Sequence, residues 1–184
     1  MANSLLITTL PMDQMNTLAA DLHNFAPEST VNGAWNAILN QTKFYAQPDF
    51  MVEPEYSIAG TGEADLLVRK QTFAGTNVDR KWRVVYEGKT RGAAAWNDIR
   101  TQVIKYPKAK LTENQVCWCI GGMGKLAKFW KFKKGGGSME CKPVEYSGGV
   151  ARVREDGTDV EPYDIANDQI EIEAILLFFR NNEN

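Results

Sequence analysis

The sequence predicts an α/β fold, a mixed central sheet flanked by helices, and three observations carry that prediction. Strand-like runs at residues 50–58, 63–70 and 81–87 are separated by glycine-bearing turns, the pattern of consecutive strands joined by tight connections. A helical segment ending at Tyr106 then lies between the strand at 81–87 and an apolar run at 115–120; a strand–helix–strand crossover of this kind joins parallel neighbours. Apolar residues at helical spacing recur before Phe50 and after Ile165, which supplies helices for both sides of the sheet.

The chain has 184 residues, a length one domain with a single core accommodates, and no repeat or second domain emerges from 1–184. Hydrophobic residues make up 43% and charged residues 24%, ordinary for a globular protein, and no apolar run approaches the roughly 20 residues that span a bilayer. The start, Met1 to Ile7, lacks the positive stretch of a signal peptide, so an intracellular protein, nuclear or cytoplasmic, with no membrane partner is expected. The cysteines Cys117, Cys119 and Cys141 are odd in number and do not suggest a disulfide framework; Cys117 and Cys119 flank Trp118 in an apolar strand and read as buried thiols. His23 is too far away in sequence to complete a zinc site with them.

Taken in order, residues 5–10 form a short apolar segment, and Pro11 to Asp13 open a helix with Met15, Leu18, Ala19 and Leu22 at helical spacing, ended by Pro27. Ser29 or Thr30 caps a second helix to about Tyr45, with Val31, Ala34, Trp35, Ile38 and Leu39 as its apolar stripe and Asn32, Asn36 and Asn40 along another face. Residues 50–58 form the first core strand, where Pro54, which lacks a ladder donor, implies an edge position or a bulge. Gly60 and Gly62 turn the chain into the second strand, 63–70. Polar residues 71–79 read as a loop, and the third strand is 81–87. Thr90 or Asn97 caps the next helix, which buries Trp96, Ile99 and Val103 and stops at Pro107. The strand 115–120 ends in the turn Gly121 to Gly124, and residues 125–134 alternate lysines with Phe129, Trp130 and Phe132. A strand at 139–146, an acidic stretch with little periodicity at 148–163, and a closing helix from Ile165 or Asn167 complete the chain.

Chemistry concentrates between Gly62 and Tyr106. Gly62-Glu63-Ala64-Asp65 leads into the apolar run Leu66-Leu67-Val68, and Trp82 to Tyr86 ends in Glu87-Gly88-Lys89. Glu87 and Lys89, two apart, project to one side of a strand. If the strands of Asp65 and Glu87 pair, their carboxylates converge, which suits Mg2+, a hard cation that takes one or two carboxylates plus water and phosphate oxygens. Lys89 then stands where it stabilises charge on phosphorus or positions or deprotonates a water. Gln102 and Tyr106, four apart, neighbour one another on the helix.

At these residues the chain resembles the PD-(D/E)xK nuclease superfamily, in particular its RecB-like branch. Gly-x-x-Asp, Glu-x-Lys and Gln-x-x-x-Tyr occur in that order as Gly62 to Asp65, Glu87 to Lys89 and Gln102 to Tyr106, over about 55 residues. Ala64 replaces the proline of the superfamily's name, which the RecB-like pattern does not need. The resemblance implies a restriction-endonuclease-like fold and a metal-dependent nuclease. Its Mg2+ or Mn2+ would be held by Asp65, Glu87 and the Gly88 carbonyl, Lys89 would assist the attacking water, and Gln102 and Tyr106 would position substrate. A further acid on the first helix or first strand often completes such sites; Glu28, Glu53 and Glu55 are the candidates, with Glu55 placed in the expected metal set.

A net charge of −2 argues against a nucleic-acid partner, but its distribution does not: residues 100–134 carry nine bases and one acid, while eight acids and one base lie in residues 1–65 and eleven acids and four bases in residues 140–184. A nucleic acid, DNA in preference to RNA, is the expected partner, with Arg91, Arg100, Lys105, Lys128 and Lys131 as candidate phosphate contacts. A nuclease-fold module that binds without cleaving is the alternative.

Overall fold

The computed structural model describes Ala20, Leu22 and residues 26–41, 49–92, 95–135 and 138–182. The helix expected over residues 11–27 lies, apart from the buried Leu22, outside the described residues, as do residues 5–10 and Tyr45.

The first described helix, α1 (Glu28–Gln41), begins where the Pro27 carbonyl accepts from Thr30 N and Val31 N, so Pro27 occupies the capping position expected of Ser29 or Thr30. Its buried stripe is the expected one, Val31, Ala34, Trp35, Ile38 and Leu39. Three antiparallel strands follow, β1 (Phe50–Ile58), β2 (Gly62–Ala74) and β3 (Asn77–Lys89). Strand β1 lies at the sheet edge and its ladder skips Glu55, which holds φ 51°; the irregularity that Pro54 implied is present.

The polar stretch 71–79 is not a loop. It continues the β2–β3 ladder from Gln71↔Arg80 to Ala74↔Asn77 around Gly75, whose φ of 61° suits a tight turn. Both faces of this hairpin tip are solvated, so its polarity marks exposure and not the absence of pairing: Phe73 is 61% exposed.

Helix α2 (Trp96–Lys110) carries the chain across one face of the sheet to β4 (Val116–Met123), which pairs parallel with β3 as the crossover required. Pro107 does not stop α2. Pro107 and Leu111 are both buried, and Leu111 N donates to the Pro107 carbonyl at 2.8 Å, so packing carries the last turn past a residue that lacks an amide donor. Gly121 and Gly122 are likewise strand and not turn. A methyl at Gly121 would lie 2.6 Å from Ile99 and one at Gly122 2.6 Å from the Tyr86 hydroxyl, so glycine lets both helix-bearing layers close on this strand.

Strands β5 (Leu126–Gly135), β6 (Ser138–Ser147) and β7 (Val150–Val153) extend the sheet antiparallel from β4, and β8 (Tyr163–Asp164) pairs with β5. Helix α3 (Gln169–Asn181) starts after the expected Ile165 or Asn167, because the Asp168 carboxylate accepts from Asp164 N and holds 164–168 as a turn. The result is a mixed α/β fold with a mostly antiparallel central sheet flanked by helices. On one face α1 and α3 pack Trp35, Ile175 and Phe179 against Tyr86, Trp118 and Phe129, with Trp118 stacked on Phe179 at 4.5 Å between ring centroids. On the other, α2 packs Val103 and Tyr106 against Leu67, Val85, Cys119 and Trp130. Burial of each large apolar side chain contributes roughly 1.5–3 kcal/mol, so both helical layers are anchored to β3 and β4. Among the described residues no helix is long and apolar enough to cross a membrane.

Candidate active site

The ends of β2 and β3 meet between α1 and α2, and the chemistry-bearing residues collect there. Leu66 pairs with Tyr86 in the last recorded rung of the ladder, which brings Asp65 and Glu87 to neighbouring strand ends as the sequence required. Gly88 N donates to Asp65 Oδ2 at 2.7 Å and fixes the carboxylate against the Glu-x-Lys segment. Lys89 Nζ lies 2.8 Å from Glu87 Oε1 and 3.0 Å from Glu28 Oε1, so the ammonium ties β3 to the first turn of α1. On the opposite side Tyr106 donates its hydroxyl proton to the Glu63 carbonyl at 2.6 Å, with Glu87 Oε2 3.3 Å away.

The electrostatics follow from burial and like charge. Glu87 is 4% exposed, and burial first, then the Asp65 charge, lifts its pKa above the ordinary carboxylate range against the opposing pull of Lys89 and Tyr106. Burial also lifts Asp65; Glu28 adds to that, while the Gly88 amide, Lys89 and an Asn32 side-chain hydrogen bond oppose it. For Lys89 burial is the largest effect and pulls the pKa down, but its bonds and attraction to Glu87 and Glu28 outweigh it and leave the value raised. The amine is therefore an ammonium at neutral pH. Burial and Glu87 hold the Tyr106 phenol far above its usual range, so it stays protonated and donates.

Asn32 joins this group through Asp65, whereas Asn36 and Asn40 bond to each other on an exposed face. Beneath the carboxylates, Asn32 Oδ1, Tyr86 Oη and Trp35 Nε1 are buried without hydrogen-bond partners. The first two crowd the Cα of Gly88 so closely that any side chain there collides with them.

Among the candidate fourth acids, Glu28 is the one in contact with the cluster. Glu53 forms a two-pronged ion pair with Arg69, and Glu55 is exposed at the irregularity in β1, outside the hydrogen bonds just described. Gln102 is exposed on α2, one turn from Tyr106 but outside those bonds. The donors that converge are carboxylate oxygens with a neighbouring amide oxygen, and two carboxylates that raise one another's pKa favour a dication; this donor set fits Mg2+ or Mn2+. Among the described residues no three His, Cys, Asp or Glu side chains are gathered closely enough to form a metal cage by themselves.

The basic residues expected to meet phosphate do not share a surface. Lys128 and Lys131 project from opposite faces of β5, over Trp96 and Trp118 respectively. Lys128 is further engaged by Asp159 at 2.5 Å, and Arg100 donates to the Cys141 carbonyl at 2.7 Å. Arg91 packs at Gly124, and Lys105 is exposed on α2. Phe129, Trp130 and Phe132 are core residues, as are the free thiols Cys117 and Cys119. Asn32 and Tyr86 were missed as members of the site. The available signal was helical spacing, which sets Asn32 four residues after Glu28 on one face of α1.

Compared with protein-family models, curated proteins and solved structures, the chain has no match.

Proposed function

We propose that this chain is a metal-dependent nuclease of the PD-(D/E)xK type with a restriction-endonuclease-like fold, hydrolysing phosphodiester bonds of DNA in preference to RNA. The observation that carries the reading is the convergence of Asp65 and Glu87 at adjoining strand ends with the Lys89 ammonium between Glu87 and Glu28. Strand ends that serve only stability have no reason to bury two carboxylates against each other at the cost of raised pKa values.

Asp65, Glu87 and the Gly88 carbonyl are the residues assigned to hold Mg2+ or Mn2+. When bound, the ion supplies Lewis-acid polarisation of the scissile phosphate and neutralises charge on its oxygens. Lys89, held charged by its two carboxylate partners, orients the attacking water and stabilises the developing negative charge; it does not serve as the base in this protonation state. Tyr106 fixes Glu87 from the α2 side, and Glu28 fixes Lys89 from the α1 side.

The test is incubation of purified protein with end-labelled single- and double-stranded DNA and RNA in Mg2+, Mn2+ or chelator, beside a Glu87→Ala/Lys89→Ala variant. Metal-dependent cleavage lost in the folded variant is the expected result. Absence of cleavage of every substrate by folded protein replaces the reading with that of a non-cleaving binding module.

A further inference from the structure

At the far end of β3 from Glu87 the chain forms a second basic feature that the proposed active site does not use. An open cleft of about 340 Å³ lies where β3 passes the end of α2 and the start of β4, lined by Arg80, Lys81, Trp82, Arg83 and Lys110 and, as its one acid, Asp79. That volume is at the lower end of the roughly 300–1,000 Å³ of small-ligand sites.

The way Arg83 enters the cleft is built into the sheet. The β2–β3 ladder runs Val68↔Val84 and then Arg69↔Trp82, so Arg83 is the extra residue of a β-bulge. Bulges bend a strand and re-aim a side chain, and they recur beside functional sites. Here the re-aimed side chain is a guanidinium that keeps its charge at any accessible pH, on a residue only 6% exposed. Arg80, Lys81 and Lys110 stand exposed at the rim. Asp79 neutralises little of this charge: its contact with Lys81 is 3.8 Å, between two well-exposed side chains. The C-terminal carbonyls of α2 would weaken an anion site here, but Lys134 Nζ donates to two of them, Lys108 O at 3.0 Å and Leu111 O at 2.8 Å. The helix end is thereby converted from a negative to a neutralised wall.

We propose that this cleft binds a phosphate group, with the Arg83 guanidinium on its floor and Arg80, Lys81 and Lys110 closing on the phosphate oxygens from the rim. A planar five-donor fork in a recess matches phosphate geometry better than it matches a monatomic anion. The site stands on this geometry and is independent of whether Asp65 and Glu87 support cleavage.

The test is calorimetric titration in chelator with inorganic phosphate, a mononucleotide and a short single-stranded oligonucleotide, with chloride at matched ionic strength as the control. Phosphate is expected to bind and to raise the melting temperature above the chloride control. Arg80→Ala/Lys110→Ala, changed only at exposed positions, is expected to keep the unliganded melting temperature and to lose at least tenfold in affinity; Arg83→Gln serves as the deeper variant, compared by titration once its circular dichroism matches the parent. Affinity that grows with oligonucleotide length and falls steeply with salt assigns the phosphate to a nucleic-acid backbone. Equal affinity for all three ligands assigns it to a free anion. A Glu87→Ala chain is titrated in parallel and is expected to bind unchanged, so loss of cleavage and loss of this site are read separately. Phosphate no better than chloride, or undiminished binding by the double variant, overturns the proposal.

Discussion

Lys89 Nζ and Glu28 Oε1 stand 3.0 Å apart across 61 residues of sequence, and the same ammonium lies 2.8 Å from Glu87 Oε1. The Lys89 side chain is 16% exposed and that of Glu87 5%, so this is a nearly buried pair with a half-exposed third member at Glu28. Removing one partner of a buried pair leaves the other charge uncompensated, at a cost of about 3–5 kcal/mol. Lys89→Ala is expected to lose about 3 kcal/mol in urea unfolding, toward the lower end because Glu87 can take up a proton. Lys89→Ala/Glu87→Gln is expected to regain most of that loss, and an additive double variant would refute the coupling.

Asp65 has the opposite sign. Its folded pKa lies above the usual value, chiefly through burial, so the folded chain holds that proton more tightly than the unfolded chain. The stability this supplies is fully present below the ordinary carboxylate range and is lost as pH rises through the raised folded value. Near neutrality the charged form is therefore a liability of the metal-free protein. Asp65→Asn keeps an oxygen to accept from Gly88 N, and is expected to raise the melting temperature in chelator at neutral pH, with the gain shrinking toward acid pH. Calorimetry across that range checks the slope, and a variant less stable at neutral pH contradicts it. The same substitution is expected to abolish metal-dependent cleavage, the separation of stability from function seen at strained active sites.

How much of this was legible depends on whether a residue's role is local. Asp65, Glu87 and Lys89 could be placed because strand alternation and one crossover fix which ends meet, and the structure brings them together. The contact of Glu28 with Lys89 was not decidable against Glu53 and Glu55, since helix-to-sheet packing sets it. Arg69 claims Glu53, and a left-handed residue in β1 takes Glu55 out of the ladder; neither is visible one residue at a time. Strand β7 was missed within an acidic stretch, although Gly148-Gly149, with φ 61° and 86°, is the dipeptide a tight hairpin asks for. The candidate phosphate contacts failed to form one face for a related reason: a charge count along the chain does not record that Lys128 and Lys131 point to opposite sides of β5.

Tyr106 joins α2 to the site by one hydroxyl, which donates to Glu63 O at 2.6 Å and lies 3.3 Å from Glu87 Oε2. Tyr106→Phe keeps the ring in its buried place and removes the donor, so about 1 kcal/mol of stability is expected to go, the net worth of a typical internal hydrogen bond. On the nuclease reading kcat also falls while KM changes little, because the hydroxyl braces a carboxylate assigned to the metal and not the substrate. Guanidinium unfolding and steady-state cleavage by the same preparation measure both; an unchanged kcat removes Tyr106 from the mechanism.

The deepest constraint on the site lies beneath it, where Tyr86 reaches along β3 over Gly122 of the neighbouring strand. A methyl at Gly122 would lie 2.6 Å from Tyr86 Oη, 3.0 Å from Trp35 Nε1 and 3.0 Å from Tyr86 Cε2. Gly122→Ala is therefore expected to cost about 1–3 kcal/mol by overpacking. Tyr86→Phe removes a buried hydroxyl that has no partner, so by itself it is expected to be neutral or slightly stabilising. Combined, the two should be less damaging than Gly122→Ala alone, because the shortest contact is gone; rescue stays partial because the ring carbon and the indole nitrogen remain. A double-mutant cycle by chemical unfolding gives the coupling directly. No coupling between positions 86 and 122 would mean that the tyrosine ring does not rest over this glycine, and the support drawn here for the Gly88 segment and its carboxylates would fall with it.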